Sequence, residues 1–84
     1  MVPKATHEPY DSPVLQWKRV AEGIAARIER GELQPGDKLP AEAAIAEEYQ
    51  VAYSTVRRAM KDLRDRGLVE SIWGKGTFVK ETDS

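Results

Sequence analysis

Apolar residues recur at helical intervals through three stretches of the chain and then change to strand-like runs. Trp17, Val20, Ala21, Ile24 and Ile28 fall three or four apart, with Lys18, Arg19, Glu22 and Glu29 off the stripe. That spacing predicts a first amphipathic helix. Ser12-Pro13 suits its start, because the hydroxyl accepts from a free amide and proline needs no amide partner. Gly31 suits its end, since glycine tolerates the left-handed conformation that closes a helix. In "GELQPGDKLP", Pro35-Gly36 favours a type II turn, and Lys38-Leu39 before Pro40 is driven extended. A second helix is expected from near residues 40–42, with Ile45, Ala46 and Tyr49 inward and Ala41 as a poor cap. A third runs from about 53 to 66. On a wheel of 100° per residue, Val56, Ala59, Met60 and Leu63 share one sector, while Ser54, Arg57, Arg58, Lys61 and Asp65 occupy the opposite half. Gly67 stops this helix and Leu68 seals its end. "VESIW" and "GTFVK" then flank Gly74-Lys75-Gly76, a hairpin signal.

The order is helix, extended piece, helix, tight turn, helix, hairpin. It predicts an α+β chain, mainly α: a winged helix-turn-helix of three helices followed by a β-hairpin wing. Residues 1–12, "MVPKATHEPYDS", lack periodicity and read as a flexible arm. The domain covers 13–80, and 81–84 form a tail. A chain of 84 residues buries about 60–65% of its unfolded surface, which supports one modest core.

Composition narrows the chemistry. The chain has no cysteine, which removes disulfides and thiolate metal sites. Its single histidine, His7, stands in the arm, with Asp11 and Ser12 nearby but no pocket to gather them. No paired catalytic groups stand out, so an enzyme, a cofactor and a metal centre are not expected. No apolar run approaches the roughly 20 residues a bilayer demands, and no signal peptide is visible. A cytoplasmic protein is expected. The formal net charge of −1 hides a division: residues 1–52 hold six basic and nine acidic side chains, residues 53–80 seven and three. Positive charge collects on one end, as it does where one surface approaches nucleic acid.

In a helix-turn-helix the second helix of the pair enters the major groove while the first crosses the backbone. The third helix has the required division, one face apolar and one polar. Arg57, early on its outer face, is placed to reach base edges, and Arg58 and Lys61 to meet phosphate. Tyr53, Ser54 and Thr55 open the same helix; Tyr53 either touches DNA or braces the turn. Arg64 and Arg66 are too far along for base edges and are expected to pair with Asp62 or Asp65. In the wing, Lys75 between Gly74 and Gly76 suits a narrow, negative minor groove. Trp17 is expected in the core. Trp73 is expected to pack, with a second subunit or sugar-phosphate as the other possibilities.

These pieces in combination resemble the DNA-binding domain of GntR-type bacterial transcription regulators. The resemblance covers roughly residues 13–80. It is carried by Gly31-x-Leu33-x-Pro35-Gly36, Leu39-Pro40-x-Glu42, Thr55-Val56-Arg57-x-Ala59, Gly67-Leu68-Val69 and Gly74-x-Gly76-Thr77-Phe78-Val79. The closing "GKGTFV" is similar to the histidine-utilisation-repressor branch. The resemblance implies a repressor that binds a pseudo-palindromic operator in double-stranded DNA as a dimer. It also implies an effector ligand held by a further domain and not by this segment. Three positions depart from the family pattern: Ala43 replaces a common arginine, Ala52 a capping Ser or Thr, and Tyr53 a base-reading arginine. The binding mode carries over and the operator sequence does not. The competing reading is a winged-helix module for protein–protein contact, against which the cationic outer face weighs. With only "KETDS" after the wing, a protein weakly associated or monomeric when free and paired on DNA is expected.

Overall fold

Three helices and a hairpin follow in the expected order in the computed structural model, which describes residues 13–81. They are α1 (Pro13–Glu29), α2 (Glu42–Tyr49), α3 (Tyr53–Asp65), β1 (Val69–Ile72) and β2 (Gly76–Val79). The expected arm, the Ser12 cap and residues 82–84 lie outside the described residues.

All three helices close with the same pair of hydrogen bonds. After α1 the Glu32 amide donates to the Arg27 carbonyl at 2.9 Å and Gly31 to Ile28 at 3.1 Å. After α3, Leu68 donates to Leu63 at 3.0 Å and Gly67 to Arg64 at 2.9 Å. After α2, Val51 donates to Ala46 at 3.0 Å and Gln50 to Glu47 at 3.3 Å. This arrangement satisfies helix carbonyls that would otherwise lack partners, and it requires a left-handed residue at the bend. Gly31 and Gly67 supply it at φ 85° and 78°; after α2 it falls to Gln50 at φ 58°. Gln50 is the one non-glycine with positive φ among the described residues.

The core lies where α1 crosses α3. Val20, Ala21 and Ile24 of α1 meet Val56, Ala59, Met60 and Leu63 of α3, with Ile45 of α2 and Leu39, Val69 and Val79 closing the sides. Burying each larger aliphatic stabilises by about 1.5–3 kcal/mol relative to exposure. Of the expected inner face of α2, Ile45 is fully buried, while Ala46 and Tyr49 pack at the core margin. Gly23 leaves room for Tyr49: a Cβ there would meet the phenol oxygen at 2.3 Å. The Arg27 side chain donates to Glu48, tying α1 to α2. That bond holds the guanidinium pKa above its ordinary value.

The wing is antiparallel, with Val69 opposite Val79 and Ile72 opposite Gly76. Its base has a third partner. Lys38 bridges Phe78, Leu39 donates to Thr77 and Val79 to Asp37, each at 2.8 Å. The extended piece before Pro40 therefore lies along the free edge of β2. The turn before it is as expected: Asp37 donates to Gln34 at 2.8 Å, and Gly36 has φ 89°. Val69 and Val79 are buried, whereas Glu70, Ser71 and Ile72 are exposed. The base of the wing belongs to the core and its tip projects.

Candidate nucleic-acid interface

Helix α3 starts without a side-chain cap, since Ala52 has extended geometry at φ −69°, ψ 154° and no hydroxyl to offer. Its inner face is the core sector described above. Ser54, Arg57, Arg58 and Lys61 are exposed on the other side, Tyr53 is half exposed, and Thr55 is half buried. The polar face is therefore continuous for about two turns.

The cations on this helix are in different states. Arg57 has no carboxylate within ion-pair distance among the described residues. Arg58 places its guanidinium carbon 4.7 Å from the centre of the Trp17 ring. Lys61 reaches Asp65 at 3.1 Å, with both side chains 65% exposed; such a pair is worth little and exchanges readily. Arg64 donates to the Ser71 hydroxyl at 3.2 Å, not to an acid as its spacing predicted. Arg66 holds Glu22 and Asp62, each at 3.0 Å. Among the described residues, the N-terminal half of α3 thus presents arginines without acidic partners, while those at its C-terminal end serve the fold.

At the tip of the wing, Lys75 donates its amide to the Ile72 carbonyl at 2.9 Å. Gly74, third residue of that turn, has φ 76°. Lys75 is exposed and without an ion pair among the described residues. Trp73 does not pack as expected: it is 96% exposed, because it occupies the turn and not the strand. Trp17 also departs from expectation, since it lies half buried at the core margin beneath Arg58.

A cleft of about 390 Å³ separates the wing from the start of α3, lined among others by Lys38, Glu42, Tyr53, Met60, Lys75 and Thr77. Lys38 was not singled out from sequence. Its aliphatic stem lies beside Gly76, where a Cβ would come within 2.9 Å of its Cε. Pairing across the sheet edge brings it there, so no local motif marks it. Tyr53 and Lys75 face the same cleft from opposite sides, which joins helix and wing into one surface.

Residues 16–79 match the family described as bacterial regulatory proteins, gntR family. The chain belongs to that family. This GntR domain is 46% identical over 65 residues to the mannosyl-D-glycerate transport/metabolism system repressor MngR of Escherichia coli, covering 77% of this chain and 27% of that protein. It is 52% identical over 54 residues to the regulator LutR of Bacillus subtilis, covering 64% and 25%. The histidine utilization repressor of Klebsiella aerogenes is 32% identical over 74 residues, covering 88% and 31%. The chain therefore spans about a quarter to a third of these relatives. Among solved structures, the AraR DNA-binding domain in complex with operator ORR3 superposes with a TM-score of 0.73 at 36% identity, covering 76% of this chain and 77% of that one. The fold is the winged helix-turn-helix of that group.

Proposed function

We propose that this GntR domain is a sequence-specific double-stranded DNA-binding module of a cytoplasmic transcriptional repressor. The observation that carries the reading is the outer face of α3, where Arg57 and Arg58 stand exposed and, among the described residues, without acidic partners. A helix with that division fits the major groove, about 12 Å wide, whose base edges present a distinct pattern for each pair. Arg57 reads bases there. Arg58, Lys61 and the hydroxyls of Ser54 and Thr55 hold phosphate, which fixes register without carrying sequence. Tyr53 faces DNA from the edge of the cleft. Gly74, Lys75 and Gly76 bring the wing against the minor groove or the backbone.

The similarity to AraR DNA-binding-domain structures solved with operator DNA supports this reading. Two such domains on a pseudo-palindrome match two-fold protein symmetry to two half-sites. The domain itself carries binding and not catalysis, and an effector is sensed elsewhere in the regulator. Selection of bound duplexes from a random pool, followed by gel-shift titration, tests the reading. Recovery of one motif bound far more tightly than scrambled duplex is expected. Failure to shift any duplex at low salt would leave a protein–protein module as the better account.

A further inference from the structure

The most exposed large hydrophobic side chain among the described residues is also the one the fold leaves without work. Trp73 stands 96% exposed at the tip of the wing, beside Ile72 at 40%. An indole held in water in that way forgoes burial of an aromatic surface of about 150–250 Å². The tip around it is cationic: from Ser71 to Val79 there is no acidic residue, and Lys75 stands two positions away. A polyanion suits that setting better than an apolar partner. A second copy of the chain suits it poorly, because a stable protein interface needs roughly 800 Å² per partner. Ile72 and Trp73 offer far less. The tip is also held in place relative to the reading helix, since Arg64 of α3 bonds Ser71 of β1 at 3.2 Å. Beside Trp73, an added Cβ at Gly74 would meet nothing within 4 Å. The backbone there is thin enough to approach a groove closely.

We propose that Trp73 buries its indole in the minor groove next to the base pairs that α3 reads, acting as an apolar wedge on a cationic wing. The proposal rests on the DNA-binding reading above. A minor groove about 6 Å wide admits a flat ring edge-on, and other minor-groove proteins use apolar side chains as wedges at base steps. Lys75 then supplies the electrostatic part of wing binding and Trp73 the part that salt does not screen. The two differ in a measurable way.

The test is a titration of the selected duplex at several salt concentrations. Trp73→Ala is expected to weaken binding on the order of tenfold to a hundredfold at every salt concentration, leaving the salt slope unchanged. Trp73→Phe is expected to retain part of the affinity. In a Trp17→Phe protein Trp73 is the sole indole; saturating duplex is expected to shield it from acrylamide quenching. Parental affinity in Trp73→Ala, or an indole still freely quenched in the complex, overturns the proposal while the DNA-binding reading stands. Shielding that grows with protein concentration in the absence of DNA assigns Trp73 to a second copy and also overturns it. A parent protein that shifts no duplex overturns both.

Discussion

Arg57 and Arg58 are neighbours in the chain in unlike circumstances. Arg58 lies over the Trp17 ring at 4.7 Å, a contact worth about 0.5–1 kcal/mol at an exposed site, which orients the guanidinium. Arg57 touches no carboxylate among the described residues and is exposed on the polar side of α3. It has little to lose on meeting a base pair. Arg57→Ala is expected to cost about 1–3 kcal/mol of operator binding while the thermal melt stays unchanged. Unaltered affinity in a gel-shift titration would remove Arg57 from the groove.

At the scale of the element, the turn between α2 and α3 is built from residues that do its job imperfectly. Gln50 adopts φ 58° at a place where a side chain costs about 1–2 kcal/mol. Gln50→Gly relieves that strain and loses part of the gain to the greater freedom of the unfolded chain. A net stabilisation of about 0.5–1 kcal/mol is expected, read from urea denaturation. Ala52 leaves the first amides of α3 without a side-chain acceptor. Ala52→Ser is expected to add about 1 kcal/mol of stability; a melt unchanged within error would show that solvent already satisfies those amides. On the proposed reading, Lys75 gives the wing its electrostatic part. Lys75→Ala is expected to flatten the dependence of log K on log salt by about one unit, and an unchanged slope would return Lys75 to bulk solvent.

For the molecule as a whole, the division of charge noted along the chain becomes a division in space. Arg27–Glu48 and Arg66–Glu22 fasten α1 to α2 and α3, and among the described residues Arg57, Arg58 and Arg64 of α3 and Lys75 at the wing tip keep no acidic partner. Among the described residues the apolar stripe of α1 is spent inside the core, and the large exposed apolar side chains are Tyr53, Ile72 and Trp73. Such a surface is too small for a stable dimer, which buries roughly 1,600 Å² in total. The 84-residue chain is expected to sediment as a monomer at micromolar concentration and as two copies on a selected palindromic duplex. A dimer in the absence of DNA would expose an interface outside this surface.

The helices, their stops and the hairpin were legible because each depends on neighbours in sequence. A stripe at three and four residues, a glycine at the left-handed bend and a proline after an extended pair are local physics. The polar face of α3, and with it Arg57, Arg58 and Lys61, was legible for the same reason. What the sequence did not disclose depends on which surfaces meet. Gln50 gives no glycine signal for its left-handed bend; the packing of α2 against α3 imposes it. Lys38 reaches the cleft between the wing and α3 through pairing with β2 across an edge separated by some forty positions in sequence. Trp17 and Trp73 are both large aromatics expected inside, yet one lies half buried under an arginine and the other is bare at a turn. Periodicity determined what each element is, because side chains one turn apart share a face. Which of those faces are covered, and which cations keep no partner, was decided by tertiary packing alone, since burial is a property of the space between elements.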